Sequence, residues 1–177
     1  MKFNKKILAA AMVFGLVPMV NAADQGHGKI TFSGSIIDAP CSIAPDSVDQ
    51  TVELGQIANA ALKNSGKSAP RNFDIKLENC SFGDPATKNK VEVTFTGKES
   101  LENKGLLGIT GQAKGASIAL TESNGELIKL GTPTPAQPLG DGGNTLRFAA
   151  YMQGDGASAT ITEGDFQAVA DFTLAYN

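Results

Sequence analysis

Along the stretch Gly164 to Asn177 (GDFQAVADFTLAYN), apolar and polar positions alternate. Phe166, Ala168, Ala170, Phe172, Leu174 and Tyr176 fall on one face; Gln167, Val169, Asp171, Thr173 and Asn177 fall on the other. A period of two is that of a strand with one side in a core and one in water. The pattern predicts an unbroken strand to the last residue, with no later strand of this sequence to pair with its outer edge. Long apolar strands at open edges are aggregation hazards that proteins normally cover. The opposite end of the sequence offers the cover.

There, Gly28, Ile30, Phe32, Gly34 and Ile36 alternate with Lys29, Thr31, Ser33 and Ser35. This predicts a second strand, with glycine at two positions where a packed side chain is expected. Glycine in a strand interior weakens it and often marks close approach of another backbone. The segment reads either as the first strand of an ordinary sandwich or as a strand that fills a groove too shallow, at one position, for a side chain.

Between the two ends the signals are those of an all-β domain. Thr51–Leu54 predicts a short strand, and Ala58–Leu62 at most a helical turn. Phe73–Leu77 and Val91–Phe95 alternate, the first delivering Cys80. A Gly-rich loop is expected around Gly97–Gly115. Ala116–Thr121 and Glu126–Leu130 flank Ser123-Asn124-Gly125, and Asn-Gly between two such runs is a strong hairpin signal. Thr132–Pro138, with three prolines, reads as a connection, and a turn at Asp141–Asn144 leads into a strand over Thr145–Met152. Short strands at this spacing, with no long helical period, predict one antiparallel sandwich of the immunoglobulin type.

The first 22 residues stand outside that domain. Lys2, Lys5 and Lys6 precede an apolar run, Ile7–Val17, too short to span a bilayer comfortably, and Val20-Asn21-Ala22 places small residues before a cleavage site. A signal peptide over residues 1–22 is expected, with an N-terminal anchor helix as the alternative; cleavage leaves 155 of the 177 residues. The segment holds three lysines and no acid, so the net charge of −3 becomes −6 once it is removed. No phosphate-binding surface is suggested, which argues against nucleic acid as a partner, and no membrane insertion is expected after cleavage. In an exported chain the two cysteines, Cys41 and Cys80, read by default as one disulfide, with free thiols as the alternative.

The residues offer little for catalysis. The single histidine, His27, lies in a Gly-rich terminal segment, so neither a metal cluster nor a Ser-His-Asp triad is expected. Gly66-Lys67-Ser68 has Ala61 where a phosphate-binding loop needs glycine. No carboxylate pair stands out as acid and base. The reading is a non-enzyme without cofactor or metal. What remains informative is the pair of alternating ends, which suggests strand addition between molecules. A self-contained secreted sandwich that binds carbohydrate or protein is the alternative.

On these residues the chain resembles the pilins of the chaperone–usher pathway, in particular the major rod subunits of P-type and mannose-resistant Proteus-like fimbriae. Gly26-His27-Gly28-Lys29-Ile30-Thr31-Phe32 leads into Ile37-Asp38-Ala39-Pro40-Cys41-Ser42-Ile43, Cys80 follows Leu77-Glu78-Asn79, and the ending sets Gly164 and Tyr176 around alternating apolar positions. Strand addition in chaperone–pilin complexes is itself a known instance of this recognition mode. The resemblance implies an incomplete immunoglobulin-like sandwich lacking its seventh strand, spanning 40–177, with a donor-strand extension over 23–39. It implies a periplasmic chaperone that lends a strand, an outer-membrane usher, and replacement of the lent strand by the next subunit's extension running in the opposite direction. Gly28, Ile30, Phe32, Gly34 and Ile36 would be the donor residues, with Gly34 over the shallow position. Gly164, Phe166, Ala168, Ala170, Phe172, Leu174 and Tyr176 would form the acceptor wall and the chaperone-recognition signature. The product would be a surface fimbria of identical or related subunits.

Overall fold

The fold is described from a computed structural model, which describes residues 26–177; the expected signal peptide, 1–22, and residues 23–25 of the expected extension lie outside them. The chain divides into two units between Ile36 and Ile37, three residues before the boundary expected from the sequence. In the first, residues 26–36 carry no helix or strand and are exposed throughout. The strand expected over Gly28–Ile36 is therefore absent as a paired element: its alternation is present, but none of its backbone joins a ladder among the described residues.

The second unit is built from eleven strands. They are β1 (Ser42–Ile43), β2 (Arg71–Cys80), β3 (Lys90–Gly97), β4 (Leu107–Gly108), β5 (Thr110–Gly111), β6 (Ala116–Glu122), β7 (Leu127–Ile128), β8 (Gln137–Pro138), β9 (Gly142–Gly154), β10 (Phe166–Gln167) and β11 (Ala170–Tyr176). One sheet runs β1-β2-β9-β6-β4, with β7 also on β6; a second runs β11-β3-β8; β10 pairs with β5. All pairings are antiparallel. Two turns of helix, α1 (Pro45–Val48) and α2 (Asn59–Leu62), follow β1.

Alternation explains the core. Ile75 and Leu77 of β2, Val91, Val93 and Phe95 of β3, and Leu146, Phe148, Ala150 and Met152 of β9 are all buried. Phe73 and Phe148 from one sheet meet Phe95 and Phe172 from the other, with ring centroids 5.1 Å apart for Phe95 and Phe148 in an edge-to-face arrangement. The Asn-Gly hairpin forms as its sequence predicts: Leu120 pairs with Ile128, and Gly125 takes φ +85°. At the end of β2 a bulge shifts the register between Leu77 and Cys80, with Asn79 at φ +53°. Strict alternation would turn Asn79 inward; the extra residue brings Cys80 in instead. Cys80 there forms a disulfide with Cys41, both almost fully buried.

Three expectations need correction. Thr51–Leu54 forms no strand: Val52 and Leu54 turn partly inward, but the backbone pairs with no other strand among the described residues. The expected loop Gly97–Gly115 contains β4 and β5. Thr132–Pro138 is more than a connection, because it runs along β3. The Thr134 N–H donates to the Val93 carbonyl, the Val93 N–H to Thr134 Oγ1, and β8 pairs with the start of β3. Its prolines lack donors, which suits the outer edge of a sheet.

Candidate functional site

The terminal stretch keeps its alternation but not its pairing. Phe166 and Gln167 pair with β5, the backbone leaves the ladder at Ala168 and Val169, and Ala170–Tyr176 pairs with β3 from Ala170 opposite Gly97 to Tyr176 opposite Val91. The unbroken strand expected from the sequence is thus two strands with different partners. Period two reports side-chain direction and not hydrogen-bond partner. Gly97 permits the changeover, since a Cβ there would lie 2.7 Å from the Val169 carbonyl oxygen and 2.5 Å from Leu107 Cδ1.

The sequence-predicted wall residues Phe166, Ala168, Ala170, Phe172, Leu174 and Tyr176 all pack against the core, yet each is only half-buried. The β3 partners of Phe172, Leu174 and Tyr176, which are Phe95, Val93 and Val91, are buried, whereas Ala170 lies opposite the exposed Gly97. β11 is an edge strand: β3 is its one ladder partner among the described residues. Along that edge lies a groove of about 1410 Å³. Its floor is core, including Phe73, Ile75, Phe95, Ile118 and Met152, and its walls come from residues 47–57 and 161–172.

Gly164, Phe166, Ala168, Ala170 and Phe172 line this groove; Leu174 and Tyr176 lie beyond it on the same face. Gly164 sits at φ +141°, and a Cβ there would lie 2.6 Å from Gln112 Cβ, so a close approach within the domain already requires glycine. The unpaired stretch Thr51–Leu54 belongs to the opposite wall, with Val52, Leu54 and Ile57. Between the walls, the Asn59 amide donates to the Glu163 carboxylate at 2.9 Å.

The other predicted residues lie in the first unit. Ile30, Phe32 and Ile36 are among the most exposed large apolar side chains described. Gly28 and Gly34 have nothing within 4 Å of a built Cβ and no left-handed backbone. Neither crowding nor conformation in this molecule accounts for glycine there.

No sequence signal pointed to a buried polar cluster away from the groove. Ser117, fully buried on β6, bonds through its hydroxyl to Ser100 at 2.7 Å and to the Asp155 carboxylate, which also accepts from the Asn103 amide. It pins the loop after β3 to β6 and the end of β9. At the end of β11 burial pushes the Tyr176 hydroxyl above its ordinary range, and its oxygen has no hydrogen-bond partner among the described residues. Among those residues no group of three or more His, Cys, Asp or Glu could hold a metal, and no helix is long and apolar enough to cross a membrane.

Comparison with known proteins gives a consistent result. Residues 30–177 match the family model described as fimbrial protein. The chain is 66% identical over 176 residues to the Fimbria A protein of Serratia marcescens and 52% identical over 178 residues to the major MR/P fimbria protein of Proteus mirabilis, in both cases over 99% of each chain. Among solved structures, it is similar to a chaperone–usher pilus subunit (TM-score 0.76, 36% identity, 86% of this chain and 97% of the other). It is also similar to the P pilus rod subunit PapA (TM-score 0.70, 34% identity, 78% of this chain and all of the other).

Proposed function

The chain belongs to the fimbrial protein family, and from that premise we propose that it is a rod subunit of a chaperone–usher fimbria, polymerising head to tail by donor-strand exchange. Residues 1–22 direct export, and residues 23–39 of one copy add a strand to the free edge of β11 in the next. Backbone hydrogen bonds give the joint its length, and alternate side chains give it register. Ile30, Phe32 and Ile36 turn into the groove, and Gly34 lies over the position that leaves no room for a side chain. The role is structural, with no reaction catalysed.

One observation carries this reading. The same chain holds an exposed segment with a buried strand's alternation and an apolar groove beside an unpaired strand edge. The glycine at 34 adds support, since its own surroundings do not require it. Burial of Ile30, Phe32 and Ile36 contributes about 1.5–3 kcal/mol each as an upper estimate. Ladder hydrogen bonds add about 1 kcal/mol apiece. Before assembly a periplasmic chaperone covers the same edge, and an outer-membrane usher is where the strands exchange. The contact is heterologous and does not close, so it generates a filament at the cell surface.

Deleting residues 23–37 tests the proposal. The shortened subunit should reach the periplasm, bind its chaperone and accept a strand, but no filament should form from it alone. If it unfolds even with the chaperone present, the segment completes its own domain and the chain is a self-contained sandwich.

A further inference from the structure

The mouth of the groove is charged in one sense. Asp49 and Glu53 stand on one wall, Asp165 and Asp171 on the other, all exposed, while Lys114 is the one cation among the lining residues. None of the four carboxylates is in an ion pair among the described residues, where the one pair recorded is Lys76 with Asp46. Glu163, the fifth acid there, is held by Asn59.

The segment that the proposed function places in this groove, residues 23–39, carries one cation, Lys29, between the acids Asp24 and Asp38. Between Lys29 and Ile37 the one charged residue is Lys29, exposed and on the polar side of the alternation with Thr31, Ser33 and Ser35. In an added strand successive side chains point to opposite faces. With Ile30 and Phe32 on the floor, Lys29 points out to the mouth.

Resting on the donor-strand reading, we propose that the carboxylates of Asp49, Glu53, Asp165 and Asp171 form an electrostatic guide that draws in the Lys29 end of a second copy's extension. The apolar floor holds the strand, and the rim sets how fast and in which sense it enters. Charges of this kind act mainly on association, raising on-rates by about tenfold or more at low salt, and lose their reach as the Debye length shrinks. The guide also works against the molecule as a whole. Two copies that each carry −6 without residues 1–22 repel one another, so local attraction at the mouth must overcome a long-range barrier.

The test uses the full mature chain and a fluorescent peptide of residues 23–39, followed by stopped-flow capture. In about 50 mM salt the natural peptide should enter about three- to tenfold faster than its Lys29→Glu form, and the gap should close near about 500 mM. Asp49→Lys with Glu53→Lys in the subunit, which brings the lining charge to about zero, should abolish the preference. Glu78→Lys with Glu126→Lys, the same charge change placed on β2 and the β6–β7 hairpin, should not. Equal rates for the two peptides at low salt, with a Phe32→Asp peptide failing to bind, would remove the guide and leave the groove reading intact. Loss of the preference with the distant pair as well would reduce the effect to net charge and overturn the proposal. Binding of the Phe32→Asp peptide as tight as the natural one would sink the donor-strand reading, and the guide with it.

Discussion

Replacing Phe32 with alanine should weaken the filament and leave the single subunit unchanged. In the subunit the Phe32 side chain is 89% exposed, so its removal takes away almost no packing. A surface change of that kind stays within about 0.5 kcal/mol of the parent. In the joint between copies the ring is expected among apolar side chains on the groove floor, where Phe73, Phe95 and Phe172 already cluster. Losing a buried phenyl group there costs about 2–4 kcal/mol, from the area removed from water and the cavity left behind. At about 1.4 kcal/mol per tenfold, each joint should weaken by about 30- to 700-fold. The assay is release of subunits from purified filaments across a guanidinium or temperature series, read on a non-boiled gel beside the thermal melt of the chaperone-bound subunit. Filaments should fall apart under much milder conditions while the melt of the subunit, taken in complex with its chaperone, stays put. Filaments as resistant as the parent's, or a subunit melt that drops in parallel, would refute the reasoning, because Phe32 would then be packed nowhere or packed within its own molecule.

Gly34→Leu should fold and be exported normally, since a Cβ there meets nothing within 4 Å, yet yield no filaments by electron microscopy. Converting Cys41 and Cys80 together to alanine opens a loop with a sequence separation of 39 and should lower stability by about 4 kcal/mol, seen as an earlier denaturant midpoint. Burial raises the Tyr176 hydroxyl, so its neutral form is favoured in the fold. That contribution is full below the unfolded value near 10 and fades as pH climbs through the higher folded one. Tyr176→Phe should therefore flatten the alkaline limb of a stability–pH curve. Near neutrality it should be neutral or slightly stabilising, since the hydroxyl oxygen it removes is buried without a partner.

Much of this was legible because alternation is a local property. Phe73–Leu77, Val91–Phe95 and the 166–176 row each show their inward face in the sequence, and the structure turns those faces to the core. What failed was pairing. The break at Ala168–Val169 leaves the period intact, so nothing in the residues betrays that β10 and β11 have different partners. Thr51–Leu54 has a strand's alternation but lies at the groove wall, where no strand of the described chain runs alongside. The bulge that turns Cys80 inward rests on one residue, Asn79, in a conformation asparagine tolerates but does not announce. The Ser117 cluster was invisible for another reason. Its members are scattered from Ser100 to Asp155, and serine or aspartate in such loops ordinarily faces water.

The prolines beside β3 bear on how many neighbours a copy can have. β1, β4, β7 and β8 offer two residues each, and the margin next to β3 is interrupted at Pro133, Pro135 and Pro138, where no N–H is present to receive a visiting strand. The seven-residue margin of β11 has no strand along it among the described residues, and it is the one that the proposed function fills. On the donor-strand proposal every molecule is then bivalent, with one socket and one plug. Growth proceeds in one dimension: fibres lengthen by addition at an end, and neither forks nor cross-linked mats arise from this chemistry.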